Sequence, residues 1–304
     1  GSRVEGMGCV DPHISVCVCT FKRPMLLKEL LKYLLKLETN GLFTYSVVVV
    51  DNDVEESARD TVRGFADDSS VPIMYDVEPD QNIAKARNRC ARIACGDYVA
   101  FIDDDEYPDA RWLLELFNLL RTTGVAGVLG PVSPVLAARA PRWVLDCGIH
   151  SRPRYPTGQV LKWHQTRTSN VLLNAAVLGE TETPFRVAFR NGAEDVDFFK
   201  RMIASGKVFV WCDDAEVHEE IPMERCSLTY LYKKAWLMGQ SQRCMTDGRS
   251  VLESVVAIPL YSFLLPLLLV TRRRMFLACS RKVVFHMGKL CALVGIRPMG
   301  EKYI

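Results

Sequence analysis

The chain has 304 residues, 49% hydrophobic and 24% charged, a globular composition long enough for a substantial core, which excludes disordered, collagen-like and mini-protein classes. Its formal net charge of +2 conceals an asymmetry, because Cys226 to Ile304 holds twelve Lys and Arg against three Asp and Glu: a basic tail follows an acidic body. Eleven cysteines form no CxxC pair, several of them (Cys17, Cys19, Cys90, Cys95) lie in apolar runs, and Gly1, Ser2 and Arg3 lack the apolar stretch of a secretory signal, so a reducing, cytoplasmic protein is expected.

From Ile14 to about Gly130, short β-branched runs alternate with helical patterns. Ile14 to Cys19 reads as a strand, and Pro24 opens a helix with Leu27, Leu30, Leu31, Leu34 and Leu35 on one stripe. Val47 to Val50 reads as a strand covered on both faces. Helices over about Glu55 to Phe65 and Ile83 to Ala94 flank a strand near Val71 to Val77, and Tyr98 to Ile102 is a fourth strand. This alternation predicts an α/β fold with a mostly parallel sheet flanked by helices, and ligands then sit outside the carboxyl ends of the strands.

Pro131 to about Gly192 mixes prolines with aromatic and Arg residues and reads as long functional loops with short strands. A helix over about Glu194 to Ala204 and a strand over Val208 to Trp211 follow. The last region opens with a helix over about Leu228 to Arg243. Val255 to Val270 is then an uncharged run of 16 residues, holding Pro259 and Pro266 and followed by Arg272, Arg273 and Arg274. It falls short of the roughly 20 residues of a spanning helix, so a re-entrant or interfacial segment is expected, with the arginines at anionic headgroups. A buried helix pair fits the same letters.

Asp103-Asp104-Asp105, followed by Glu106, stands directly after the fourth strand. Adjacent carboxylates repel unless a cation neutralises them, and Mg²⁺ accepts one or two carboxylates while leaving positions for phosphates. A solvated acidic turn before a helix starting near Asp109 is the alternative. Asp51-Asn52-Asp53 after the second strand suits a nucleobase or ribose edge, or an N-cap. Thr20-Phe21-Lys22-Arg23 brings backbone donors and positive charge to the same edge. Lys85, Arg87, Asn88 and Arg89 offer a phosphate contact or a solvated helix face. Glu194, Asp195 and Asp197 suit the first turn of a helix, and a carboxylate there also suits general-base work. His218 is a metal or diphosphate contact or a satisfied surface residue.

Together these segments resemble the inverting glycosyltransferases of family 2, with a GT-A fold. The resemblance rests on Ile14 to Phe21, Val48-Val49-Val50-Asp51-Asn52, Asn82 to Asn88 and the DxD element in Phe101-Ile102-Asp103-Asp104-Asp105. Thr168 to Leu172, Gly192-Ala193-Glu194-Asp195 and His218 to Arg225 are similar to the branch of bacterial succinoglycan-type exopolysaccharide glucosyltransferases.

The resemblance implies a catalytic domain over 1–225, with a nucleotide-binding half (14–130) and an acceptor half (131–225), and a basic, apolar helical region over 226–304. It implies a UDP-sugar held by Thr20, Phe21, Arg23, Asp51, Asn52, Arg87, Asn88, Asp103 and Asp104. Mn²⁺ or Mg²⁺ would sit on Asp103, Asp105 and His218, the catalytic carboxylates would be Asp195 and Glu194, and Asn170 and Trp163 would meet the acceptor. The acceptor is a glycan, lipid-linked through polyprenyl diphosphate, met at the inner face of the cell membrane; nucleic acid is not an expected partner. Two departures stand out. Ile83-Ala84 follows Asn82 where the family carries glycine, and Gln240-Ser241-Gln242-Arg243-Cys244 lacks the tryptophan of the QxxRW element of processive synthases, which favours addition of one sugar at a time. A nucleotidyltransferase would need a Gly-rich loop after the first strand, absent from Thr20 to Pro24, and a non-catalytic glycan or membrane binder is the remaining alternative.

Overall fold

The parallel half of the main sheet comes from the first hundred residues. Strands β1 (His13–Thr20), β2 (Thr44–Asp51), β3 (Ile73–Val77) and β4 (Tyr98–Phe101) are all parallel. They are seen in a computed structural model that describes residues 11–189, 193–241 and 248–296, without the side chains of 146, 147, 241 and 249. Val47, Val48, Val49 and Val50 are all fully buried, as a strand with helices on both faces requires. Helix α1 (Pro24–Leu34) turns Leu27, Leu30, Leu31 and Leu34 into one core cluster. Helix α3 (Ile83–Ile93) covers the other face through Ala84, Ala86 and Cys90. Helix α2 (Arg59–Ala66) starts later than its periodicity predicts, because Glu56 donates to the Asp53 carbonyl at 2.9 Å in a preceding turn.

Residues beyond 100 complete this sheet and build a second, smaller one. Strands β5 (Glu106–Pro108), β6 (Gly127–Leu129), β7 (Val132–Leu136), β8 (Val171–Asn174), β9 (Phe209–Trp211) and β10 (Val217–Ile221) follow. The seven-stranded order is β3-β2-β1-β4-β8-β6-β9, with β8 antiparallel to both neighbours. A second sheet, β5-β10-β7, stands beside it. Glu106 therefore begins a strand, and α4 (Trp112–Thr123) starts after it instead of near Asp109. The remaining helices are α5 (Arg142–Cys147), α6 (Ala175–Gly179), α7 (Glu194–Ala204), α8 (Leu228–Ser241), α9 (Gly248–Thr271) and α10 (Arg273–Leu293).

The apolar run near the end differs from its sequence reading. Pro259 and Pro266 lie inside one continuous helix, so the stretch Ser250–Thr271 has 22 residues and is long and apolar enough to cross a membrane. Its large side chains face outward: Phe263 is 83% and Val270 85% exposed. Apolar surface so contiguous marks an interaction face rather than a solvated one. Gln242, Arg243 and Cys244, and Gly192, lie outside the described residues.

Helices α8 and α10 cross backbone against backbone. A Cβ on Gly239 would strike the Phe285 carbonyl, and one on Gly288 the Trp236 carbonyl; neither obstacle is a flexible side-chain end. Gly288→Val is expected to lower the thermal midpoint by several degrees, on the scale of about 1–3 kcal/mol for overpacking. Gly64→Ala in α2, where nothing lies within 4 Å, is expected to be neutral or to stabilise by about 0.5 kcal/mol. Equal effects at the two glycines in thermal unfolding would refute this account of the crossing.

Candidate active site

The polar clusters predicted at the strand ends do converge. Thr20, closing β1, donates its hydroxyl to Asp104 at 2.8 Å, and Arg23 reaches Asp104 at 3.2 Å and Asp105 at 3.4 Å. Asp104 is buried, and burial pushes its carboxyl up to about 6 against the pull of Arg23. Lys22, with φ of 54°, places its ammonium 3.9 Å from Asp53 and 5.4 Å from the ring centre of Phe21.

The second strand end is spent on holding the loop. Asp51 accepts from the Ala58 amide (2.7 Å), the Tyr75 hydroxyl (3.0 Å) and the Asp53 amide (3.1 Å). Asn52 donates to the Glu78 and Asp80 carbonyls at 2.8 and 2.7 Å and accepts from the Asn82 amide at 2.9 Å. Asn82 in turn caps α3, its side-chain oxygen accepting from the Ala84 amide at 3.0 Å. These side chains fix the loop after β2 against the start of α3.

Arg87 joins the two acidic sets. Lys85 pairs with Asp80, and Arg89 grips Asp76 at 2.6 and 2.9 Å on the outer face of α3. Arg87 points inward instead, donating to the buried Glu194 and reaching Asp103 at 3.5 Å. The first turn of α7 is thereby held beside the triple aspartate. Glu194 is 1% exposed and is the ion-pair partner of Arg87. Its other oxygen is buried with no partner among the described residues. Asp195, the next residue, is partly exposed and accepts from the Val196 amide at 2.8 Å.

The second sheet contributes groups that the sequence reading did not single out. Its antiparallel register sets Glu219 opposite Glu106, two carboxylates that would repel. Arg152 lies between them, bonded to Glu219 and 3.9 Å from Glu106. Burial and the neighbouring Asp103 hold the Glu106 carboxyl well above the usual range. Arg225 bonds Glu219 at 2.9 Å and Asp105 at 3.3 Å. Arg167 stands in the same wall, its cation 5.9 Å from the Trp211 ring centre and its buried Nε without a partner among the described residues. Arg152, Arg167 and Arg225 come from loops and a short 3₁₀ turn, where no periodicity marks a residue. The one available signal was a run of basic residues in a chain segment whose acidic partners lie far away in sequence.

Three expectations are corrected. His218 does not join Asp103 or Asp105: strand residues alternate, so it faces away from Glu219, with Nε2 3.4 Å from Asp109 and Glu216 nearby. Asn88 is buried and clamps the Phe185 backbone, donating at 2.7 Å and accepting at 2.9 Å, a structural tie between α3 and that segment. Asn170 is fully buried with φ of 53°. It accepts from the Trp112 indole at 2.8 Å and donates to the Pro131 and Ala215 carbonyls at 2.7 Å each, a latch rather than an acceptor contact. Trp163, in contrast, is 40% exposed and sits against α7, with the Lys200 ammonium 5.4 Å from its ring centre.

The donor set fits a hard divalent cation. Its groups are carboxylate oxygens, and among the described residues the side chain of Asp103, 46% exposed, is paired through the long contact to Arg87. Asp105 is the second carboxylate of the set, with its charge shared between Arg23 and Arg225.

Residues 15–172 match the family model for "Glycosyl transferase family 2". The chain is 37% identical over 246 residues to the succinoglycan biosynthesis protein ExoM of Rhizobium meliloti (strain 1021), covering 79% of this chain and 76% of that protein. It is 30% identical over 149 residues to validoxylamine A glucosyltransferase of Streptomyces hygroscopicus subsp. jinggangensis (strain 5008), covering 48% of this chain and 31% of that one. Among solved structures, the mannosyltransferase PcManGT of Pyrobaculum calidifontis, in complex with GDP-Man and Mn²⁺, superposes with a TM-score of 0.62 at 18% identity over 92% of this chain and 87% of that one. S. aureus TarS in complex with UDP-GlcNAc superposes with a TM-score of 0.57 at 15% identity over 94% and 93%. At such identities the likeness establishes the GT-A fold.

Arg87→Met is expected to destabilise the chain by about 3–5 kcal/mol, because it strands Glu194 as a buried charge, and to abolish turnover. Asn170→Ala, stranding an indole N–H and two carbonyls, is expected to cost about 3 kcal/mol or more. His218→Ala is expected to change neither stability nor metal dependence by more than a small margin. Urea unfolding midpoints for the three variants test these assignments together.

Proposed function

The chain belongs to glycosyl transferase family 2 and is a glycosyltransferase; on that premise we propose that it moves one hexose from a UDP-sugar to a hydroxyl of a lipid-linked glycan in exopolysaccharide synthesis, inverting the anomeric centre. The observation that carries this reading is the Arg87 bridge, which draws the first turn of α7 against Asp103. Exopolysaccharide synthesis is carried over from the relationship to ExoM. The lipid-linked acceptor is supported by the apolar α9 and the arginines after it.

Asp103 and Asp105 would hold Mn²⁺ or Mg²⁺. The ion supplies a Lewis acid for the charge that grows on the leaving diphosphate. Arg23 and Arg225, already beside Asp105, add positive charge where that diphosphate departs. Thr20 and Arg23 fix Asp104, so the nucleotide loop after β1 and the acidic turn after β4 move as one piece. Asp195 takes the proton of the acceptor hydroxyl, which then attacks in line from the face opposite UDP. Glu194 acts through Arg87 as a positioning residue. Trp163 offers an exposed aromatic face for an acceptor sugar next to α7. The catalytic unit is taken to be 1–225, and 226–304 is taken to keep it peripheral at the inner face of the membrane.

Asp195→Asn is expected to reduce metal-dependent UDP release by about 10²-fold or more while leaving UDP affinity in calorimetry unchanged. Unaltered UDP release in that variant would remove Asp195 from its role, and inorganic pyrophosphate as product would replace glycosyl transfer by nucleotidyl transfer. Truncation after residue 247 is expected to stop flotation with liposomes. Flotation that persists would detach α9 and α10 from membrane binding.

A further inference from the structure

Basic groups collect where the catalytic unit meets the apolar helices. His150 follows α5, Lys234 lies on α8 and Arg281 on α10, and Arg225 and Arg152 approach from the cleft side. Lys234, Arg225 and Arg281 bring positive charge close to His150, whose ring also meets the Arg225 backbone in a hydrogen bond. The charges acting on Lys234 are Arg152, Arg225 and Arg281, with Glu219 as the opposing charge. Glu219 is already engaged by Arg152 and Arg225. Among the described residues, no ion pair joins Lys234 or Arg281 to a carboxylate.

Two nitrogens of this group are buried without a hydrogen-bond partner among the described residues, His150 Nε2 and Arg281 Nε. Cations packed together with polar atoms left unmatched are unfavourable unless an anion arrives, and guanidinium, ammonium and imidazole donors suit phosphate oxygens. The surroundings point to where such an anion comes from. Gly148, two residues before His150, lies under the Arg274 guanidinium: a Cβ there would meet Nη2 at 3.3 Å. Arg274 stands in the first turn of α10, directly after the outward-facing apolar α9. The Tyr232 hydroxyl, 2.8 Å from that of Ser280, ties α8 to α10, and Arg225 connects the cluster to Asp105 at 3.3 Å.

We propose that His150, Lys234 and Arg281, flanked by Arg274, form a site for the diphosphate of a lipid-linked acceptor, with the lipid tail lying toward α9; this rests on the lipid-linked acceptor inferred above. The site is separate from the donor's phosphates, which belong to Asp103 and Asp105. It would orient an acceptor at the membrane so that its glycan enters the cleft from the side of Arg225.

The test uses the full chain and three probes: phosphatidylcholine vesicles bearing a few mole per cent of polyprenyl diphosphate, phosphatidylglycerol vesicles of matched surface charge, and UDP in solution. The Lys234→Gln/Arg281→Gln double variant is expected to bind the diphosphate vesicles about 25-fold more weakly, about fivefold for each cation lost. Binding to phosphatidylglycerol vesicles and UDP affinity are expected to be unchanged. Equal losses on both vesicle types would reduce the cluster to general surface charge, and a loss confined to UDP would assign it to the donor; either outcome overturns the proposal. Should the double variant unfold, inorganic pyrophosphate added to the wild-type chain at saturating UDP is expected to displace it from diphosphate vesicles and not from phosphatidylglycerol vesicles. Absence of displacement overturns the proposal as well. Metal-dependent UDP release with a water-soluble sugar acceptor, measured in the same samples, reports separately on glycosyl transfer, so failure of either reading is seen without the other.

Discussion

One buried guanidinium carries the architecture of the cleft. Arg87 is set inward by the turn of α3, while Lys85 and Arg89 on either side of it pair with acids on the outer face. Its hydrogen bonds to Glu194 and Asp103 tie together segments more than ninety positions apart. Removing one member of such a pair leaves an uncompensated buried charge, which costs far more than an exposed pair contributes. The same logic explains why the acidic turn after β4 tolerates its own repulsion. Arg23, Arg152 and Arg225 each contact two carboxylates, and burial and the neighbouring Asp103 raise the affinity of Glu106 for a proton. Asp103 is left with a long contact to Arg87, while Arg23 and Arg225 stand beside Asp105.

Around this centre, asparagines do structural work that resembles ligand binding when viewed only as letters. Asn52, Asn82, Asn88 and Asn170 each direct an amide to backbone groups of another segment. An amide side chain has the same donor and acceptor as a peptide unit, so it can close a loop onto a strand where no ladder is available. A nucleobase edge would use the same two groups. Burial decides between the uses, and all four of these side chains are inside the protein.

The helices after residue 226 couple the cleft to a surface of a different kind. Glycines at the α8 and α10 crossing bring two backbones together, which holds α10, and α9 packed beside it, against the catalytic unit. The outward face of α9 is apolar in nearly every direction, unlike the single stripe of a helix lying on a soluble core. Arg225 bonds Asp105 and Glu219 in the acidic cleft and lies close to His150 and Lys234 at this junction, so a chain of charged groups runs from the acidic turn to the helices.

The sequence alone determined the strands β1 to β4, the helices α1, α3 and α7 and the acidic turn at the sheet's edge, because those features are local: each is written in periodicity or in adjacent letters. It also determined the family, since the matching motifs fall at strand ends. Only the tertiary structure decided that β8 enters the sheet antiparallel, that β5, β7 and β10 build a second sheet, and that Arg87 points inward while His218 points away. Those outcomes depend on pairing register and on which charges meet across long separations. Arg152 meets Glu106 on β5 and Glu219 on β10, Arg225 meets Glu219 and Asp105, and a one-residue shift along β10 would have put His218 at the cleft in place of Glu219. The path of α9 through two prolines was likewise beyond the sequence, because a helix supported by its neighbours keeps going where an isolated one would break.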